Sequence, residues 1–482
     1  MSGATHYATA PEDRIPFHLK LVYGLGAFVN NTLAAAIGGM VIVLNLGLGL
    51  SPALVGTLGA LPRLMDAITD PLMGYVSDNT RSRWGRRRPY LFVGAISVGI
   101  IFALLWQLPL GKSDSYYFWY FLGGSLIFYL AYTVYATPWV ALGYELTPDY
   151  HERTRLMGVQ NFIGNIAYMI SPYFLAIMYA SSFENEVQGA SYLAIGIGVV
   201  VIVLGIMPAV FLRERFKHTA EDADPGAPAE SLGRAIARNT KSFLSGFLLT
   251  LKFKPFRKLC IATFLVFNGF ILIAAFQSYV IIYYVFGGDA KQGGAFVGHS
   301  GLLQAVSGLL VIAFVTWLAT RIGKRRAFFV STGVSMIGYA LKWFCYTPDN
   351  PWLVLIPAPL MAFGFAGLFT LMPSMICDVV DCDELETHER REGMYGSIFW
   401  WVVKLGQSVA LFGGGLLLVA TGFDVELGGN QTPEAIRLMR FFDAMLPCLA
   451  SAIAIWTIAS YSITEEKAHE VRAALEARRG SG

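Results

Sequence analysis

Asp66 and Asp70 lie four residues apart in "RLMDAITDPLMGYVSDNTRSRWGRRRPY" (63–90), a stretch that is apolar up to its arginines. On a helix that spacing puts both carboxylates on one face. Two acids so placed repel, and apolar surroundings tolerate them if one stays protonated or a cation lies between them. Both outcomes couple the pair to an ion. Arg63, three residues ahead of Asp66, offers the alternative of a static strut, but one arginine does not easily neutralise two acids. A second charge of this kind is Lys404, in "SIFWWVVKLGQSVALFGGG". It lies about a dozen residues from the nearest charged loop, too deep for easy snorkelling. It can serve as a counter-charge that competes with an incoming cation for the carboxylates.

The elements that must hold these charges are apolar throughout. Of 482 residues, 55% are hydrophobic and 14% charged, against about 25% charged in soluble domains. Apolar runs of about 20 residues, the length that crosses some 30 Å of hydrocarbon, recur at 18–48, 51–78, 88–108, 116–146, 153–180 and 190–213. They resume at 257–286, 294–320, 325–347, 350–383, 391–422 and 434–462. The expected fold is therefore an all-α membrane protein of twelve transmembrane helices in two six-helix bundles. Its parts are a short N-terminal segment (1–17), the bundles 18–213 and 257–462, a linker (214–256) with a basic amphipathic helix, and a tail (463–482). Asp66 falls about 14 residues into its helix, roughly 20 Å along the axis and near mid-membrane. A charge at that depth costs between about 2.5 and over 10 kcal/mol unless a polar cavity and a partner receive it.

Lysine and arginine set the orientation. The loops holding "RSRWGRRR", "HERTR", the linker, "RIGKRR" and "HERRE" are rich in charge, and the alternate loops hold few basic residues. Both termini are expected in the cytoplasm, with the chain in the cell's inner membrane. The first residues lack the pattern of a cleaved signal peptide. Five cysteines form no C-x-x-C pair and read as reduced thiols. The halves also echo one another: "RSRWGRRRPYLFVG" matches "TRIGKRRAFFVSTG", and "ELTPDYHERTRLMG" matches "ELETHERREGMYG". Two echoes in register describe the parallel six-helix repeats of the major facilitator architecture.

These loops supply a gate. Gly74, Asp78, Arg81, Arg83, Gly85, Arg86 and Arg87 cluster where the second helix leaves the membrane, and Glu145, Arg153, Glu384 and Arg390 occupy the echoed loops. Acid–arginine contacts there would lock one state and break in the other; the arginines also anchor orientation. Polar and aromatic groups suited to a hydroxyl-rich or amphiphilic solute are Asn30, Asn31, Tyr132, Tyr135, Trp139, Gln160, Asn161 and Asn165 in the first bundle. Asn268, Gln277, Trp400 and Trp401 extend the set in the second. The sequence carries no G-x-S-x-G, H-E-x-x-H or G-x-x-x-x-G-K motif, which argues against an enzyme. No cofactor beyond the coupling ion and no nucleic acid partner is expected, and a monomer suffices.

The segments "KLVYGLGAF", "DAITDPLMGYVSDNTRSRWGRRRPY", "YTVYATPW" and "CDVVDCDELETHERREGMYGSIFWWVVK" resemble the glycoside–pentoside–hexuronide:cation symporters, the melibiose-permease-like branch of the major facilitator superfamily. The resemblance runs over nearly the whole chain. It implies that Asp66 and Asp70 bind the coupling Na⁺, Li⁺ or H⁺, that Thr133 contributes to the same site, and that Lys404 stands near it. The substrate side departs from the galactoside carriers. Their Lys-Asp pair falls on Asn30 and Asn31, their fourth-helix aspartate on Ala136, and their sugar-binding arginine near Gln160. The expectation is cation-coupled symport of a sugar or glycoside, with a Na⁺-coupled lysophospholipid carrier as the alternative.

Overall fold

The computed structural model describes residues 11–80, 82–147, 150–214, 249–388 and 392–480. The described residues form helices and no strand, as expected where no water is available to satisfy a peptide group outside a helix. In chain order they are α1 (Phe17–Met40), α2 (Ile42–Leu46), α3 (Pro52–Leu64), α4 (Asp66–Asn79), α5 (Arg88–Leu105), α6 (Asp114–Glu145), α7 (Tyr150–Ile170), α8 (Phe174–Met178) and α9 (Glu186–Phe211). After the linker come α10 (Lys254–Tyr279), α11 (Ala290–Ile322), α12 (Lys324–Cys345), α13 (Pro357–Thr387), α14 (Glu392–Ala420), α15 (Pro433–Ala459) and α16 (Glu465–Gly480). A π-helical turn, Val280–Val285, extends α10.

Eleven helical runs among the described residues are long and apolar enough to span a bilayer. The twelfth, expected at 51–78, is divided at Met65 into α3 and α4, neither long enough alone. Pro62 and Pro71 each remove a backbone donor from this stretch. On the α4 side, the Thr69 N–H bonds the Met65 carbonyl at 2.9 Å. The division falls directly before Asp66. Elsewhere, helix starts are fixed by side-chain caps: Ser113 on α6, Asn185 on α9, Asp289 on α11 and Thr432 on α15.

The chain separates into two compact units, 1–43 with 65–237, and 44–64 with 238–482. In the first, α1 packs on α7 and α9, α5 on α6 and α9, and α4 on α6. Its core includes Tyr23 stacked on Trp139 with ring centroids 5.2 Å apart. In the second, α10 packs on α14 and α15, α12 on α13 and α15, and α3 on α14. The last contact is glycine-mediated: a Cβ on Gly415 would stand 2.2 Å from the Pro52 carbonyl oxygen, and one on Gly56 2.6 Å from that of Leu411. Backbone cannot yield as a side-chain tip can, so Gly415→Ala is expected to cost about 1–3 kcal/mol. A thermal unfolding midpoint equal to the parent's would contradict this packing. Close by, buried Asn45 donates to the Leu50 carbonyl at 2.6 Å and accepts from the Tyr279 hydroxyl at 2.8 Å.

Candidate ion and substrate site

Asp70 sits on α4, half-buried, facing α6. Its Oδ1 accepts from the Thr133 hydroxyl at 3.0 Å and from the Thr137 hydroxyl at 3.4 Å. Thr133 and Thr137 are four apart on α6, so one helix face presents both. The Thr69 and Thr133 hydroxyl oxygens are 3.2 Å apart, which brings a third hydroxyl to the cluster. A hydroxyl can donate to a carboxylate, or rotate and offer a lone pair to a cation. One carboxylate among three hydroxyls is thus a set of hard oxygen donors for a small cation, and equally a carboxyl that can take a proton. The side chain of Asp66 lies outside the described residues. Thr69 and Thr137 were not among the expected ion ligands; their positions beside Asp70 and one turn from Thr133 were the available signal.

Lys404 lies half-buried on α14 in the other unit. Arg63 donates to Gln407 Oε1 at 2.7 Å, one turn along α14 from Lys404.

Of the substrate candidates, Asn30 and Asn31 of α1 and Tyr132 of α6 come together, against the backbone of α7. The Tyr132 hydroxyl donates to Asn30 Oδ1 at 2.7 Å, Asn30 donates to Asn31 Oδ1 at 3.2 Å, and Asn31 donates to the Gly164 carbonyl at 3.0 Å. Asn161 is exposed on α7 and Gln160 half-buried with its Oε1 enclosed, and the Asn165 amide donates to the Asn161 carbonyl at 2.8 Å. Trp139 is occupied in packing: its indole N–H donates to the Tyr23 carbonyl at 3.2 Å. Tyr135 is wholly buried against Gly94 and Gly205. In the second unit Asn268 donates to the Phe264 carbonyl, Gln277 donates to the Ser300 hydroxyl at 3.1 Å, and Trp400 stacks on Phe369 with half its surface exposed. Trp401 packs at the edge of the core.

The gate candidates form ion pairs within each unit. Arg86 pairs with Glu145, and Arg87 Nη1 reaches Glu145 Oε2 at 2.9 Å. Gly85 is buried at φ +102°, Gly74 packs near Thr137, and Arg83 is exposed. In the second unit Lys324, the counterpart of Arg86, pairs with Asp378 at 2.7 Å. Glu384 meets Arg478 of α16 at 3.5 Å, and the same arginine lies 2.7 Å from His388 Nδ1, where the chain leaves α13 at φ +61°. Arg81, Arg390 and the side chains of Asp78 and Arg153 lie outside the described residues.

A further polar cluster docks the N-terminal segment on the first unit. Buried Glu152 accepts from the Ile15 N–H at 2.9 Å and pairs with Lys20 at 2.6 Å, and Thr147 donates to the Asp13 carbonyl. Burial alone would push the Glu152 carboxyl up. The bonds from Lys20, Ile15 and Arg155 outweigh it and hold the group below its ordinary value near 4.5. A carboxylate with a lowered value adds stability that is fully present above the unfolded value and is lost as pH falls through the folded one. Slow amide exchange in residues 11–20 is therefore expected to persist at pH 5–7 and to fade in stronger acid. Glu152→Gln should lose it already at pH 7; unchanged protection in that variant would contradict the docking.

The second unit also holds an ion pair that sequence reasoning passed over. Lys342 Nζ on α12 meets Asp443 Oδ1 on α15 at 2.5 Å, with side-chain exposures of 1% and 2%. The Tyr346 ring lies 5.2 Å from the ammonium, and Arg440, one turn before Asp443, stacks between Tyr284 and Trp343. The available signal was the same as for Lys404, a charge inside an apolar run.

Residues 22–465 match the family described as MFS/sugar transport protein. An "Uncharacterized symporter" of Synechocystis sp. is 27% identical, with 97% of this chain and 98% of that one aligned. The "Glucuronide carrier protein homolog" of Escherichia coli (strain K12) is 24% identical over 95% of each chain. Among solved structures, an inward-facing bacterial homolog of the human lysosomal transporter Spinster superposes with a TM-score of 0.67 at 13% identity, over 94% of this chain and 98% of that one. That likeness is one of fold alone.

Proposed function

The chain belongs to the MFS/sugar transport protein family, and we propose that it moves a sugar or glycoside across the membrane together with Na⁺ or H⁺ by alternating access. The observation that carries this reading is Asp70, a carboxylate inside an apolar helix bundle with the hydroxyls of Thr133 and Thr137 on one oxygen. Asp66 and Asp70 hold the ion, and the threonines complete its shell. Substrate hydroxyls exchange bonds with the Tyr132–Asn30–Asn31 network, whose amides can both donate and accept. The chain's likeness to the glucuronide carrier homolog supports a glycoside. The arginine-rich ends face the cytoplasm of a bacterial-type inner membrane, where the Arg86–Glu145 and Lys324–Asp378 pairs act in the gate. One chain holds all of these groups, so a monomer suffices.

Uptake into proteoliposomes under imposed Na⁺ or H⁺ gradients tests the reading, with labelled glucuronides, pentosides and hexosides in parallel with a lysophospholipid. Gradient-driven accumulation of a glycoside is expected. Accumulation of the lysophospholipid alone would replace the substrate assignment. Thr133→Ala is expected to raise the ion concentration for half-maximal uptake about tenfold, in line with the 1.5–3 kcal/mol of a hydrogen bond to a charged group. Thr137→Ala, whose bond is longer, should change it less. Equal ion dependence in all three proteins would remove the threonines from the site.

A further inference from the structure

The turn that carries Arg86 and Arg87 is held from another helix. α5 opens without a capping side chain of its own, which leaves backbone donors at its start to be satisfied. Glu214, three residues beyond the end of α9, supplies the acceptors. Its Oε2 accepts from the Arg86 N–H at 2.8 Å, and its Oε1 from the N–H groups of Arg87 at 2.8 Å and Arg88 at 3.0 Å. Glu214 is 6% exposed. Charge-assisted bonds of this kind are the strong ones, and a negative group at a helix N-terminus also meets the positive end of its dipole. The contact is reciprocal, because Arg88 donates to the Ala209 and Val210 carbonyls at the C-terminal end of α9. Gly85 makes room: at φ +102° it adopts a conformation other residues avoid, and a Cβ there would stand 2.6 Å from the Glu214 carboxylate.

We infer that Glu214 is a positioning residue of the gate, fixing the backbone of residues 86–88 so that Arg86 and Arg87 both reach Glu145. This rests on the reading of the Arg86–Glu145 pair as part of the gate. The second half repeats the frame more loosely. Gly323, at φ +83°, precedes α12 and the Lys324–Asp378 pair, and Glu465 lies 3.0 Å from where a Cβ on Gly323 would stand. Glu465 is exposed, so it grips less and serves as an internal comparison.

The test needs no knowledge of the substrate. In a background with the five native cysteines replaced, Arg86→Cys and Glu145→Cys are joined by a short bismaleimide in the full-length protein in lipid nanodiscs. Adding Glu214→Gln is expected to slow cross-linking at least fivefold, and to speed amide exchange in the peptide spanning 85–90. Gly85→Ala, which displaces the carboxylate without changing its charge, should slow cross-linking likewise and covers the case in which Glu214→Gln does not fold. Glu465→Gln should leave the rate within twofold. Cross-linking within twofold of the parent in Glu214→Gln or in Gly85→Ala would overturn the positioning role. Failure of the gate reading would show elsewhere, as undiminished solute uptake by Glu145→Gln.

Discussion

Asp70→Asn is expected to abolish gradient-driven uptake while leaving the unfolding midpoint close to that of the parent. The amide keeps the size of the carboxyl and can still accept from Thr133 and Thr137, so the contacts between α4 and α6 survive. What disappears is the negative charge. A hydrogen bond or contact to a charged group is worth about 1.5–3 kcal/mol, or roughly 10- to 150-fold in affinity, and an amide cannot release a proton. Downhill exchange of substrate should persist, since the α1–α6–α7 network of Asn30, Asn31 and Tyr132 is untouched. Undiminished accumulation against a gradient in Asp70→Asn would sink the assignment of the ion site.

The second large effect is on stability. Lys342→Met or Asp443→Asn should each destabilise the second unit by about 3–5 kcal/mol, because one buried charge is left without its partner. Replacing both, as Lys342→Met with Asp443→Leu, should recover most of that loss, since a buried pair exchanged for packed apolar side chains is often neutral or better. Thermal unfolding of the purified variants in detergent measures both. Single variants as stable as the parent would show that the pair at 2.5 Å contributes nothing to the folded state. A double variant no better than the worse single one would instead assign the pair a role beyond mutual neutralisation.

The architecture was legible because the hydrocarbon requirement acts on every residue of a spanning helix. Apolar run length, charge-rich loops and the two echoed motifs are all properties of the chain itself. The division at Met65 was not legible: Pro62 and Pro71 were visible, but a proline kinks one helix and ends another according to what surrounds it. Asp70 stands out by the cost of its charge, and Thr133 by resemblance, whereas Thr137 is an ordinary helical threonine until the packing of α4 on α6 brings it to the carboxylate, and Thr69 meets the cluster through Thr133. Trp139 illustrates the reverse. An indole in an apolar helix suits a sugar ring and a bundle core equally well, and only its bond to the Tyr23 carbonyl distinguishes the two. Glu214 was hidden for another reason. Its sequence position reads as the start of a charged linker, and its partners at 86–88 are more than a hundred residues away.

Solute and cation are expected to cross together through a site built on Asp70. The most direct measurement is cation entry triggered by solute, recorded with a sodium electrode or an internal pH dye in vesicles containing the protein and no imposed gradient. Addition of a transported glycoside is expected to drive Na⁺ or H⁺ inward at once, and the signal should vanish in Asp70→Asn. Glycoside entry with no accompanying movement of either ion, in the unaltered protein, would contradict the account.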